Sequence, residues 1–255
     1  MKPVAFRYER PESVEDAVAV LRENEDAKVL AGGQSLVPML NMRLARPSVL
    51  VDVNRLPLGE VTRDNGSFRV GGLVRQADPR LGEIPLLAEA LPYVGHFVTR
   101  NRGTVGGSVA HADAAAELPL ALTALGGSVV TSAGRTIPAG EFFVTHFTTA
   151  LEPGELLVET VWPAAAPGMR YAFEEFALRR GDFALCMAAA VAWPDGLRVT
   201  LGSVVDRPTV VEIDPERPGE SAAAQIQAWG SLHASADYQL QLVRVLVDRV
   251  VGRVT

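Results

Sequence analysis

The stretch Ala31-Gly32-Gly33-Gln34-Ser35 constrains the fold of this 255-residue chain more than any other feature. It follows a short apolar run, Lys28-Val29-Leu30, that reads as a strand. It precedes Leu36-Val37-Pro38-Met39-Leu40, where Pro38 is tolerated in a first helical turn. Adjacent glycines remove side chains where the backbone turns tightly or approaches another group closely. Strand, Gly-Gly turn and helix start together aim free backbone N–H groups at one spot, an arrangement that binds anions, phosphates above all. Later in the chain, Thr104-Val105-Gly106-Gly107-Ser108 repeats the chemistry. Two Gly-Gly turns flanked by hydroxyls are able to clamp one pyrophosphate between them.

The formal charge of −6 argues against a nucleic-acid or anionic-membrane partner, because both need a basic surface. It leaves a phosphate ligand open, since backbone N–H groups hold one without net positive charge. Cys186 is the only cysteine, so the chain forms no internal disulfide and carries no iron–sulfur cluster by itself. It lies in the apolar run Phe183 to Val191 and reads as a packing residue rather than a nucleophile. His96, His111, His146 and His233 lack metal-ligand spacing, so no metal site is expected. No apolar run approaches the ~18 residues of a membrane span, and the N-terminus lacks a signal-peptide pattern, so a cytoplasmic protein is expected.

Along the chain, Val4 to Tyr8 reads as a strand. Ser13 and Asp16 form a capping box for a helix carrying Ala17, Val18 and Leu21 on one face. The first glycine turn and a helix through Leu44 follow, then a buried-strand pattern over Val49 to Val53. Leu56-Pro57-Leu58-Gly59 reads as a boundary. Phe68 to Gly72 suggests a strand and turn, Pro85 to Val94 a helix, and Asp113 to Leu125 an alanine-rich helix ended by Gly126-Gly127. Ser128 to Ser132 and Glu155 to Val161 are strand-like, and Trp162 to Gly168 reads as a linker. Arg170 to Leu178, Ala184 to Trp193 and Leu197 to Val205 then read as an antiparallel meander of three strands. Asp214 to Ser221 reads as a loop, and Ala236 to Val251 as a closing helix. Glu174 and Glu175 adjoin on a strand and so point to opposite faces, a poor arrangement for paired acid–base work.

Read together, the pieces resemble the FAD-binding (medium) subunits of the molybdenum hydroxylases. That family includes the medium subunit of carbon monoxide dehydrogenase and the flavin domain of xanthine dehydrogenase. The resemblance rests on Ala31 to Met39, on Arg100 to Ser108, on Arg179-Arg180-Gly181-Asp182-Phe183-Ala184, and on the tail His233 to Tyr238. It implies an α+β fold. A two-subdomain, PCMH-type FAD-binding unit occupies residues 1–57 and 58–168, and a smaller α+β domain with an antiparallel sheet occupies 169–255. It implies FAD as cofactor, with a molybdopterin-binding large subunit and an iron–sulfur small subunit as partners.

The same resemblance implies site residues. Ala31, Gly32, Gly33, Gln34, Ser35 and Leu36, with Thr104, Gly106, Gly107 and Ser108, would hold the pyrophosphate. Glu117 would meet the adenosine ribose, Leu157 the isoalloxazine, and Asp182 and Phe183 its other side. His111 either lines the cofactor cleft or is a loop histidine satisfied by neighbours, and Asp113 either lines it or caps a helix. Arg100 and Arg102 pair with phosphate or with surface carboxylates. The chain departs from the family at Gln34, often His, at Ser108, often Asn, at Ala114, often Pro, and at Phe183, a tyrosine in some members. A bulky residue at Gly33 or Gly106 is expected to abolish FAD retention while leaving the fold largely intact. Three functions fit: an electron-transfer flavoprotein subunit with no catalytic residue of its own, a free-standing FAD-dependent oxidoreductase acting on its own small substrate, or a nucleotide-binding module that has lost redox function.

Overall fold

The computed structural model describes residues 2–255. Ser13 opens the first helix as its spacing predicts, its Oγ accepting from the Asp16 N–H at 3.0 Å. Strand β1 (Arg7–Glu9), helix α1 (Val14–Glu23), β2 (Lys28–Leu30), α2 (Leu36–Asn41) and β3 (Val49–Asp52) alternate. The strands form a parallel sheet in the order β1-β3-β2. Central β3 is buried along its whole length, as a parallel strand covered on both faces should be. The helix expected through Leu44 stops at Asn41. Arg43 takes φ 59° there, and the Leu44 N–H returns to the Met39 carbonyl at 2.9 Å, a left-handed cap. The first strand begins at Arg7 rather than Val4, because its ladder to β3 starts there.

The next stretch opens with the hairpin β4 (Val61–Asp64) and β5 (Ser67–Gly71), turned by Asn65 and Gly66 at φ 46° and 77°. A single 3-10 turn, Pro79–Glu83, leads into α3 (Pro85–Ala90), α4 (Phe97–Arg100), α5 (Val105–His111) and α6 (Glu117–Leu125). Then come β6 (Ser128–Thr131), β7 (Thr136–Pro138), α7 (Ala139–Phe142), β8 (Phe143–Thr145), β9 (Thr148–Thr149) and β10 (Leu157–Pro163). The main sheet here runs β4-β5-β10-β6-β7 and is antiparallel. Two expectations are corrected. The helix expected from Asp113 starts at Glu117, because Asp113 Oδ1 accepts from the Ala115 N–H at 2.9 Å and holds a turn there. Trp162, expected in a linker, is fully buried in β10 and donates from Nε1 to Thr160 Oγ1 at 2.8 Å.

Strands β11 (Arg170–Ala177), β12 (Ala184–Trp193), β13 (Gly196–Gly202) and β14 (Thr209–Val211) form an antiparallel sheet in chain order, followed by α8 (Pro218–Ala224) and α9 (Ala236–Val254). The expected meander is present, with a fourth short strand added. The expected loop at Asp214 to Ser221 instead enters a helix at Pro218, because Gly219 packs on the Arg244 backbone and its N–H reaches Asp248 Oδ1 at 2.8 Å. Strand β12 is buried from Ala184 to Ala192 because both its faces are covered. Met187, Ala189 and Val191 join the core containing α6, whereas Cys186, Ala188 and Ala190 join the core containing α9. Helix α6 is buried at every residue, as expected for a helix with no solvent face. Cys186 is 0 % exposed, and burial pushes its thiol pKa upward.

Candidate functional site

The first glycine stretch links β2 to α2. Gly33 sits at φ 72°, a left-handed conformation that glycine adopts without a Cβ penalty. Gln34 folds back, its Nε2 donating to the Gly32 carbonyl at 3.2 Å. Ser35 caps α2 without a side-chain hydrogen bond. Among the described residues the N–H groups of Gly33, Gln34 and Ser35 find no acceptor. They remain available to a ligand.

The second stretch differs from its sequence reading. Gly106 and Gly107 lie in the first turn of α5, not in an open loop. Thr104 is the N-cap, its Oγ1 accepting from the Gly107 N–H at 3.0 Å. The Val105 and Gly106 N–H groups donate to the Val74 and Gly72 carbonyls at 2.9 and 3.1 Å. The glycines therefore serve close approach. A Cβ on Gly106 would lie 2.6 Å from Gly72 Cα, and one on Gly32 would lie 2.8 Å from Gly103 Cα. A Cβ on Gly107 would come 3.7 Å from Ala31 Cβ. The two stretches thus pack against each other and form one continuous edge. The first supplies the free N–H groups, and the second adds the Ser108 hydroxyl.

That edge borders a cleft of about 1180 Å³. Pockets for drug-sized ligands measure ~300–1,000 Å³, so this cleft is large enough for a dinucleotide. Ala31, Gly32, Gly33, Gln34, Ser35 and Leu36 line the cleft, and Thr104, Gly106, Gly107, Ser108 and His111 line it beside them. Glu117, at the start of α6, and Leu157, at the start of β10, also line it. Asp182 and Phe183 reach it from the turn between β11 and β12. The residues that the resemblance assigns to the cofactor therefore line the same space, whereas Arg100 and Arg102 do not. Phe183 is 73 % exposed at the rim.

The cleft's charges are muted. Burial raises the Glu117 pKa to about 7, and the neighbouring Asp113 carboxylate adds to the rise. Near neutral pH its carboxyl can either donate or accept, as a sugar hydroxyl requires. Burial lowers the His111 pKa, with the Asp113 carboxylate pulling the other way. His111 belongs to α5 rather than a loop, and its ring lies 4.8 Å from that of Phe147. Asp113 both lines the cleft and holds the turn before α6. Arg100 makes no salt bridge among the described residues. Its Nη1 donates to the Val94 and Gly95 carbonyls at 2.9 and 3.1 Å.

Sequence reasoning missed the groups that support the edge. Asn54 Nδ2 donates to the Ala31 carbonyl at 2.8 Å, and Arg75 Nη2 donates to Asn54 Oδ1 at 2.9 Å. Gln76 is buried beside Gly103. These partners come from distant points in the chain, and no local spacing announces them. Phe147, at φ 57°, was also missed. Its N–H meets the carbonyl of Ala112, itself at φ 51°. This junction of two left-handed non-glycine residues marks a strained cleft wall.

A donor set of backbone N–H groups and hydroxyls, on an edge kept clear of Cβ atoms, fits a pyrophosphate-bearing cofactor. Comparison with known proteins agrees. Residues 4–165 match the family model described as the FAD binding domain in molybdopterin dehydrogenase. The chain is 38 % identical to the 6-hydroxypseudooxynicotine dehydrogenase complex subunit alpha of Paenarthrobacter nicotinovorans, over 99 % of this chain and 95 % of that one. It is 32 % identical to the carbon monoxide dehydrogenase medium chain of Hydrogenophaga pseudoflava, over 99 % and 98 %. Its structure superposes on a chain of quinoline 2-oxidoreductase from Pseudomonas putida 86 with a TM-score of 0.92 at 36 % identity, covering 100 % and 98 % of the two chains. The chain belongs to the family of FAD-binding medium subunits of the molybdenum hydroxylases.

Proposed function

We propose that this chain is the FAD-carrying electron-transfer subunit of a molybdenum-hydroxylase-type oxidoreductase. The observation that carries the reading is the continuous glycine edge, with the N–H groups of Gly33, Gln34 and Ser35 unpartnered along it. Those N–H groups and the hydroxyls of Ser35 and Ser108 hold the pyrophosphate. Glu117 meets the ribose, while Leu157, Asp182 and Phe183 border the isoalloxazine. Bound FAD supplies the redox chemistry, accepting electrons one at a time and releasing them singly or in pairs. The protein contributes placement and exclusion of water. In this reading residues 1–57 and 58–168 are the two flavin-binding subdomains and 169–255 the C-terminal domain. Substrate hydroxylation belongs to a molybdopterin-binding large subunit, and an iron–sulfur small subunit feeds electrons in. A lone cysteine fits that division of labour. No helix of the described residues is long and apolar enough to cross a membrane, and a cytoplasmic location completes the reading.

The relatives are named as a complex subunit and a medium chain, which favours a subunit over a free-standing flavoenzyme. The test is the visible spectrum of the purified chain before and after adding FAD, with released cofactor identified by mass. A yellow protein carrying FAD is expected. A chain that stays colourless in excess FAD overturns the reading. A chain that turns over a small substrate without partners favours the free-standing alternative.

A further inference from the structure

The geometry points to Arg75 as a positioning residue that sets the two glycine stretches in register behind the cofactor edge. The guanidinium spans them. Nη1 donates to the Arg102 carbonyl at 2.5 Å, immediately ahead of Gly103 and Thr104. Nη2 donates to Asn54 Oδ1 at 2.9 Å. Asn54 carries the link onward, its Nδ2 donating to the Ala31 carbonyl at 2.8 Å and the Leu30 carbonyl at 3.3 Å. One hydrogen-bonded path therefore runs from the residue before Gly103 to the residue before Gly32. Asn54 is itself held by Asp52, whose Oδ1 accepts from the Asn54 N–H at 2.9 Å and from Nδ2 at 2.7 Å. Asp52 is in turn bonded by the Tyr8 hydroxyl.

Three observations separate this role from ordinary surface pairing. Arg75 makes no salt bridge among the described residues. Both its acceptors are neutral, and burial together with the nearby Arg102 lowers its pKa. Its backbone also bridges to Thr104, so side chain and main chain fix the same segment. Finally, Arg75 stands behind the cleft wall, whereas its neighbour Gln76 lines it. It acts through the stretches and not on the ligand. Only a planar fork reaches both acceptors from one side chain; a lysine ammonium reaches one.

This inference rests on the FAD reading above. The experiment compares wild type, Arg75→Gln, Arg75→Lys, Asn54→Ala and the Arg75→Gln/Asn54→Ala double variant as full chains. It measures the Kd for FAD and, separately, for ADP as a pyrophosphate probe, with the melting temperature of each apo-protein. Arg75→Gln should bind both ligands roughly tenfold to hundredfold more weakly. Arg75→Lys should recover part of that loss. The double variant should bind no more weakly than the weaker single variant, because one path can be cut only once. Apo melting temperatures should stay close to wild type. Wild-type affinity in Arg75→Gln, additive losses in the double variant, or an apo melting temperature that falls in step with affinity each overturns the positioning role. If the wild-type chain itself fails to bind FAD, the functional reading fails instead, and the two failures are distinct.

Discussion

Gly106 and Gly72 touch backbone to backbone: a Cβ on Gly106 would lie 2.6 Å from Gly72 Cα, while the Gly106 N–H donates to the Gly72 carbonyl at 3.1 Å. Helix α5 is seated on the end of β5 through this contact. The expectation that a bulky residue at Gly106 spares the fold is therefore corrected, because the clash is with main chain that cannot swing aside.

Gly106→Val should fail to accumulate as folded protein, whereas Gly33→Ala should fold. At Gly33 the φ of 72° and Val37 Cγ2, 3.1 Å from a new Cβ, impose strain of about 1–2 kcal/mol. Soluble yield, thermal melting and FAD content separate the two. Gly33→Ala should melt a few degrees low and lose most of its flavin.

Glu117 sets a pH dependence for the apo-protein. Its folded pKa is raised from 4.5 to about 7, mainly by burial. The neutral form is favoured on folding, so the stability it contributes is complete below pH 4.5 and is lost as pH rises through about 7, amounting to on the order of 3 kcal/mol. Glu117→Gln should therefore melt higher than wild type at pH 8, with the gap closing by pH 5. Glu175, raised to about 8 by burial and by Glu117, adds a slope of the same sign that remains in the variant. Melting curves from pH 5 to pH 8 decide it, and a gap independent of pH contradicts it.

Glu155 acts in the opposite sense. The Arg135 guanidinium bonds it, and Thr131 Oγ1 and the Glu152 N–H donate to it at 2.9 and 2.8 Å, holding its pKa down to about 2. Its contribution is present above pH 4.5 and is lost as pH falls toward about 2. Glu155→Gln should lower the melting temperature at pH 7 and leave it nearly unchanged near pH 2. Acid titration monitored by circular dichroism reads the difference.

Thr104→Ala removes the cap on α5, where Oγ1 accepts from the Gly107 N–H at 3.0 Å. The expected loss is about 1 kcal/mol of stability, and Thr104→Ser should restore most of it. Chemical denaturation midpoints of the three proteins test this.

The elements with strong local signals were legible in the sequence. The Ser13 N-cap, the run into Gly32-Gly33, the apolar Val49–Asp52 strand and the periodic closing helix all stand where their patterns place them. The glycine stretches, Glu117, Leu157 and Phe183 line one cleft, and their grouping came from the family resemblance, not from any spacing in the sequence. The rest depended on partners far along the chain. Gly106 and Gly107 read as a turn because glycine opposes helix by about 1 kcal/mol per residue. They are helical because the Thr104 cap opens α5 at this point, and they are glycine because Gly72 and the Thr104 hydroxyl leave no room for a side chain. Strand β14 is only three residues long and is defined by its ladder to β13. Arg75 and Asn54 look like ordinary polar loop residues until the fold aligns the Arg102 and Ala31 carbonyls with them.

Cys186, enclosed between β12 and α9, has a consequence for a protein built around a redox cofactor. Reduced flavins leak electrons to dioxygen, and the resulting peroxide attacks exposed thiolates. This chain offers none: its one sulfhydryl is 0 % exposed and is held protonated by burial. Aerobic handling should leave it unoxidised and the protein free of disulfide-linked dimers, without added reductant.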